Sequence, residues 1–169
     1  MDYRKILIAG AIAAAVVPSP ATAATEQTTG EALILLPLEL TKIDDLDFGS
    51  VIPSGVSGTV TINAGTGARS FTGGATGVPS ATGQRAYFGG AGTPGQQVFV
   101  GITPPTQLNH TSTSATIPVL ALTLDGAPMR VIDPITRTFF IGVGGVLQIN
   151  PNQAEGLYEA TFDVTAIYL

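Results

Sequence analysis

The chain ends in the stretch Gly156-Leu-Tyr-Glu-Ala-Thr-Phe-Asp-Val-Thr-Ala-Ile-Tyr-Leu169, which contains neither lysine nor proline. Its side chains alternate between two faces of an extended chain. The more apolar face carries Tyr158, Ala160, Phe162, Val164, Ala166 and Tyr168, and the polar face carries Glu159, Thr161, Asp163 and Thr165. A period of two with aromatic and β-branched residues is typical of a half-buried β-strand. We therefore predict a final strand whose outer edge must be covered, because an unprotected edge invites pairing with another chain.

Short runs of the same kind recur along the rest of the chain. The 21 glycines and 12 prolines interrupt the sequence every few residues, and no helical period is sustained after residue 23. The other predicted strands are Ala32–Leu40, Leu46–Ile52, Val56–Ala64, Gln84–Phe88, Gln97–Ile102, Ala115–Leu124, Met129–Ile132, Thr138–Val143 and Val146–Asn150. This arrangement predicts an all-β sandwich or barrel. We interpret the glycine-rich stretch 64–83 as a long surface loop or a loose hairpin within one domain.

The first residues have the pattern of a secretory signal peptide. Arg4 and Lys5 form a basic start, and an uncharged, largely apolar stretch runs from Ile6 to Val17. Small residues precede a predicted cleavage site after Ala23. The apolar stretch is too short to cross a bilayer core of about 30 Å, so no stable membrane span is expected after cleavage.

This pattern divides the chain into three predicted parts. They are a signal peptide at 1–23, a short polar segment at 24–31 and one β-sandwich domain at 32–169. The signal pattern predicts export. We expect the protein in the periplasm, at the cell surface or in a fimbrium of a Gram-negative bacterium.

Composition excludes several classes of function. The chain contains no cysteine, so thiol catalysis, zinc–thiolate sites and iron–sulfur clusters are excluded. The net charge is −5, and it becomes −6 when Asp2, Arg4 and Lys5 are removed with the signal peptide. Few, scattered cations cannot form a basic patch, so we expect no nucleic acid partner.

The few candidate sites for chemistry fail on their patterns. Asp44-Asp45-Leu-Asp47 lacks the glycine and the glutamate of a calcium-binding EF-hand loop, and we interpret it as a solvated acidic turn. His110, the one histidine, lies near Ser112 and Ser114 in a predicted polar loop, but no Gly-x-Ser-x-Gly motif occurs. The glycine-rich segments lack the lysine of a phosphate-binding loop. We expect no catalytic, cofactor or metal site and no enzymatic activity.

Several segments carry a resemblance to known families. Pro37-Leu-Glu-Leu-Thr41, Leu46-Asp-Phe-Gly49, Gly58-Thr-Val-Thr-Ile62 and Phe140-Ile-Gly-Val-Gly-Gly-Val-Leu147, followed by the strand Gly156–Tyr168, resemble the DUF4402 family of exported bacterial proteins. The resemblance covers nearly all of Ala32–Leu169. The last strand, with Gly156 fourteenth from the end and Tyr168 penultimate, also resembles the C-terminal motif of chaperone–usher pilus subunits and of the spore-coat-protein-U-like family.

The resemblance implies a fold and a role. The fold is an immunoglobulin-like, pilin-like antiparallel β-sandwich, and the role is a non-enzymatic structural subunit of a surface fimbria, pilus or coat assembled by β-strand complementation. The implied assembly strand comprises Gly156, Tyr158, Ala160, Phe162, Val164, Ala166 and Tyr168. The expected partners are a periplasmic chaperone and neighbouring copies or related subunits, which would pair beside this strand.

Two questions stay open at the level of sequence. Ile34, Leu36, Leu38 and Leu40 share one face and suit either a donor strand for a neighbour or the first strand of the domain itself. The final strand also suits a complete sandwich, because inward alternation requires no partner. The alternative function is therefore a self-contained monomeric binding or adhesion module of the periplasm or cell surface.

Overall fold

The computed structural model describes residues 24–169. The predicted signal peptide, 1–23, lies outside the described residues. Residues 24–33 have no regular secondary structure, and a separate compact unit begins at Ile34. The described part of the chain contains no helix, and so none that could cross a membrane.

Thirteen short strands build the compact unit. They are β1 (Glu39–Asp44), β2 (Val51–Ile52), β3 (Gly58–Ile62), β4 (Arg69–Gly73), β5 (Thr76–Gly77), β6 (Ala86–Ala91), β7 (Gln97–Thr103), β8 (Gln107–His110), β9 (Thr116–Leu124), β10 (Met129–Val131), β11 (Thr138–Ile149), β12 (Tyr158–Glu159) and β13 (Asp163–Tyr168). All pairings between them are antiparallel. The protein is an all-β antiparallel sandwich, as its sequence predicts.

The strands form one large sheet, one small sheet and a separate two-stranded pair. The large sheet has the order β1-β6-β11-β9-β8-β12, and the long strand β11 organises it. The first half of β11 pairs with β6, its second half pairs with β3, and β9 lies along its other side. β4 continues the sheet beyond β3. The small sheet has the order β10-β7-β13, and β2 pairs separately with β5.

Two apolar clusters stabilise these sheets. The first lies between the large and small sheets, and its buried members are Ala86, Val98, Val100, Ile132, Phe139, Ile141 and Val143. The second has the buried members Val60, Ala75, Ile117, Leu147 and Ile149, and none of its members belongs to the small sheet. Side chains at every second position of a strand share a face. The inner face of β11 therefore contributes residues to both clusters.

The structure differs from the predicted strands in several places. Of the predicted strand Leu46–Ile52, only Val51–Ile52 is a strand. No strand covers residues 32–38, because the first strand begins at Glu39. The two strands predicted around Gly144 and Gly145 are one continuous strand, β11, since both glycines are buried and pair with β9 in the sheet. His110 ends strand β8 instead of lying in a loop. Within the stretch 64–83, β4 forms a hairpin with β3, one of the two interpretations offered above.

The C-terminal run is two strands, so the prediction of a single strand is wrong. β12 pairs with β8 in the large sheet, and β13 pairs with β7 in the small sheet. The chain changes sheet across residues 160–162. The predicted alternation of faces is nevertheless confirmed: Tyr158 and every second residue to Tyr168 are half-buried, and the residues between them are exposed.

Candidate functional site

Strand β13 forms an unpaired edge of the small sheet. Its register with β7 places Ala166 opposite Val100 and Tyr168 opposite Val98. The Leu169 N–H donates a hydrogen bond to the Gln97 carbonyl oxygen at 3.1 Å. Because backbone groups of alternate residues point to opposite sides of an antiparallel strand, those of Asp163, Thr165 and Ile167 face β7. Those of Val164, Ala166 and Tyr168 face away from β7, and no strand pairs with them among residues 24–169.

A groove with a volume of about 800 Å³ opens beside the start of this edge. One wall is the segment Asp45–Val51, which follows β1, and the other is the segment Gln153–Phe162, which includes β12. The floor is apolar and consists of side chains of the second cluster and its neighbours: Val60, Leu108, Ile117, Val119, Leu122, Leu147 and Ile149.

The groove exists because the small sheet covers only part of the large one. The first cluster has β7 and β13 side chains opposite it, whereas the second has no strand of the small sheet opposite it. Phe48, from the segment after β1, and Val51 of β2 pack against the second cluster instead. A sandwich normally buries both inner faces against each other. The groove therefore lies where no strand of the small sheet faces the large sheet.

The end of the edge near Tyr168 is closed by side-chain hydrogen bonds. The Tyr168 hydroxyl donates to the Leu36 carbonyl oxygen and accepts from the Thr93 N–H, each at 2.8 Å. The Leu36 N–H donates to the Thr93 hydroxyl oxygen at 2.6 Å. These bonds hold the chain before β1 beside the end of β13. The groove lies beyond the other end of β13, where Tyr158 lines it.

The side chain of His110 packs beside Tyr158, which lines the groove. Its Nδ1 accepts the N–H groups of Ser112 and Thr113 at 2.9 and 3.1 Å, so the neutral ring carries its proton on Nε2. Nε2 lies 2.9 Å from the Glu155 carbonyl oxygen and donates to it. The ring also packs edge-on against Tyr158, with centroids 5.0 Å apart. His110 orders two chain segments, and no serine hydroxyl is its hydrogen-bond partner.

Carboxylates surround the groove without matching cations. Four of its lining residues are acidic, namely Asp45, Asp47, Glu155 and Glu159, and no lysine or arginine lines it. Of these four, only Asp45 forms an ion pair with another described residue, the exposed Lys42, at 2.5 Å. The Asp47 carboxylate accepts the Gly49 N–H at 2.7 Å. The rim of the groove is thus strongly negative.

Arg69 lies beside the groove wall, and its guanidinium donates hydrogen bonds to backbone carbonyl oxygens. One terminal nitrogen of Arg69 donates to the carbonyl oxygens of Phe48 and Ser50 at 3.0 and 3.2 Å. The other donates to the Val78 carbonyl oxygen at 2.9 Å. Arg69 therefore fixes the backbone of the groove wall and forms no ion pair with a groove carboxylate.

The structure divides the sequence-predicted site residues. Tyr158, Ala160, Phe162 and Gly156 line the groove, whereas Val164, Ala166 and Tyr168 contact the first core cluster along β13. Leu38 and Leu40 also pack against the first cluster, so they belong to the domain itself. Ile34 and Leu36 are 88% and 48% exposed. Leu36 is also held by its hydrogen bonds to Thr93 and Tyr168, so of the four residues Ile34 suits a donor segment best.

Sequence reasoning missed the opposite wall of the groove. The sequence predicts an ordinary strand that includes Leu46, Phe48 and Val51. Their position opposite Tyr158 depends on long-range topology, which no local pattern contains. The acidic turn Asp44–Asp47 was interpreted as merely solvated, although two of its carboxylates border the groove. In the described part of the chain, no group of three or more metal-ligating side chains comes together.

Comparison with known proteins gives one finding. Residues 38–168 match the model of a protein family described as a domain of unknown function (DUF4402). No curated protein and no solved structure is detectably similar to the chain. The match begins at Leu38, where the chain enters the first core cluster, and ends at Tyr168, the last residue of β13.

Proposed function

The chain belongs to the DUF4402 family, a domain of unknown function, and we propose that this protein is a non-enzymatic exported structural subunit of a surface fimbria, pilus or coat. Its sandwich is completed by a β-strand from another polypeptide. The observation that carries the proposal is the unpaired outer edge of β13, which follows directly on Phe162 at the wall of a groove with an apolar floor.

The physical argument rests on two unsatisfied surfaces that lie side by side. Outward backbone groups of β13 offer ladder hydrogen bonds, and side chains of the second cluster offer apolar contact in the groove. An extended segment can satisfy both at once, because its backbone pairs with an edge while alternate side chains fill pockets. Edge strands are usually protected by lysine, proline or a covering loop, and β13 contains neither residue.

A self-contained monomeric binding or adhesion module is the second candidate, and one observation favours it. On the large sheet, the rings of Tyr87 and Phe140 stack with centroids 5.6 Å apart and planes 5° apart. The Arg85 guanidinium lies 4.6 Å from the Tyr87 centroid. Phe140 is 50% exposed, so this surface could stack against a flat ligand such as a sugar ring. This function requires a stable monomer without partners.

Proline substitutions on the two outer edges of the small sheet test the proposal. The Ala166 N–H faces away from β7, so Ala166→Pro removes no hydrogen bond of the domain but blocks pairing at the β13 edge. Val131→Pro is the matched control, because the register of β10 places the Val131 N–H on the opposite outer edge. Each variant replaces the protein in the bacterium that encodes it, and the size of its complexes is measured by size exclusion with light scattering.

We expect wild type and Val131→Pro to occur in complexes with other chains and Ala166→Pro to be recovered without them. Circular dichroism of purified Ala166→Pro establishes that it is folded. Assembly of Ala166→Pro to the wild-type size would contradict the proposal, and a wild-type protein that is monomeric in both periplasm and surface extracts would favour the second candidate.

A further inference from the structure

We infer that the strand completing this sandwich carries lysine or arginine between its apolar residues and belongs to a different protein, not to a second copy of this chain. The inference rests on the proposed function and specifies its partner. It follows from the charges on the groove rim compared with the charges near the exposed N-terminal segment.

The groove selects for a cationic occupant. A strand lying in it would place alternate side chains on the apolar floor and the intervening ones at the rim. The rim carries Asp47, Glu155 and Glu159 without an ion pair among the described residues, and Asp45 with only one exposed partner. Outward positions of the occupant therefore lie beside carboxylates, where a lysine or arginine is attracted and an acidic residue is repelled.

The chain's own apolar segment lacks the required charge. The stretch Gly30-Glu-Ala-Leu-Ile-Leu-Leu-Pro-Leu38 contains one glutamate and no cation. Glu26 precedes it and Glu39 follows it, so the nearest charged residue on each side is negative. Pro37 further removes one backbone donor. Placed in the groove of a second copy, this segment would bring carboxylates to a rim that is already negative.

The effect is large enough to decide between partners. A single exposed charge pair changes affinity by about 1.4- to 5-fold, and like charges oppose binding by similar factors. Reversing the sign of several rim contacts therefore changes affinity by about tenfold or more, because the individual factors multiply. The difference in affinity between a cationic and an acidic strand should become smaller at high salt, because salt screens exposed charges.

Three synthetic peptides test the inference against the mature protein, residues 24–169. One alternates valine with lysine over nine residues, which spans about 30 Å as a strand. The second replaces each lysine with glutamate, and the third is the chain's own stretch 30–38. Binding is measured by fluorescence anisotropy at low and high salt, and protection of the β13 amides is followed by hydrogen exchange.

We expect the lysine peptide to bind at least about tenfold more tightly than the other two at low salt. The double variant Glu155→Gln/Glu159→Gln should reduce this preference, whereas Glu39→Gln, outside the groove lining, should preserve it. Equal or tighter binding of the stretch 30–38 would overturn the inference while leaving strand complementation intact. If none of the three peptides bound or protected the β13 amides, the inference and the proposed function would both be contradicted.

Discussion

At the scale of single residues, Gly156 explains why the C-terminal run begins with glycine. Its φ of +140° lies in a region that side-chain-bearing residues rarely adopt. A methyl group at this position would also overlap the imidazole of His110. The sequence indicated the importance of Gly156 through its place before the alternating run, but the contact with His110 could not be predicted, because 45 residues separate the two.

Replacing Gly156 with alanine should therefore destabilise the domain through strain and overlap together. Gly95 is the matched control, because it has a φ of +75° and open space around its Cα. We expect Gly95→Ala to cost about 1–2 kcal/mol of unfolding free energy, and Gly156→Ala to cost more. Adding His110→Ala should recover part of the difference in a urea-denaturation cycle. Equal costs for the two glycine variants would show that His110 does not restrict Gly156.

Asp133 provides a pH-dependent prediction at the same scale. Its carboxylate accepts the N–H groups of Thr136 and Ile135 at 2.8 Å each, and these bonds lower the pKa of Asp133 below its ordinary value. A lowered pKa in the folded state means that the carboxylate stabilises the fold above the unfolded-state value of about 3.9. That contribution disappears as pH falls through the folded-state pKa.

The variant Asp133→Asn keeps an oxygen acceptor and removes the titration. We expect wild type to exceed it in stability at neutral pH, with the difference narrowing below about pH 4. Thermal denaturation of both proteins from neutral pH to below about pH 4 measures the difference in stability. A carbon-13 titration of the Asp133 side chain measures its pKa. A pKa at or above the unfolded-state value would contradict the assignment.

At the scale of strands, local patterns predicted which elements form and failed where strands change partners. The alternation in residues 157–169 correctly predicted which side chains face inward. It did not predict the change of sheet across residues 160–162, because pairing partners are chosen by contacts distant in sequence. For the same reason the apolar stretch 32–38 was predicted as strand, although no partner strand adjoins it.

The register of β13 predicts opposite outcomes for two neighbouring prolines. The Thr165 N–H faces β7, so Thr165→Pro removes a ladder hydrogen bond and should cost at least about 2 kcal/mol of unfolding free energy. Ala166→Pro removes an outward N–H and should cost clearly less. Urea denaturation of the two purified variants measures the difference. If Ala166→Pro were the more destabilising, the outward orientation of its N–H would be wrong.

At the scale of the whole molecule, the domain has one buried core and one incompletely covered core. The first cluster is packed between two sheets, while the second borders a groove of about 800 Å³. Composition predicted the all-β class, and the N-terminal pattern predicts export. The groove was not predictable from sequence, because its two walls, Asp45–Val51 and Gln153–Phe162, are far apart in the chain.

Residue-resolved hydrogen exchange of the β13 amides in the isolated mature protein tests the central claim most directly. If the sheet is open along this edge, the Thr165 and Ile167 amides are protected by β7, while the Val164, Ala166 and Tyr168 amides exchange rapidly. The outward amides should become protected in complexes isolated from the bacterium. Strong protection of all five amides in the isolated monomer would mean that the domain's own backbone seals this edge, and would contradict the account.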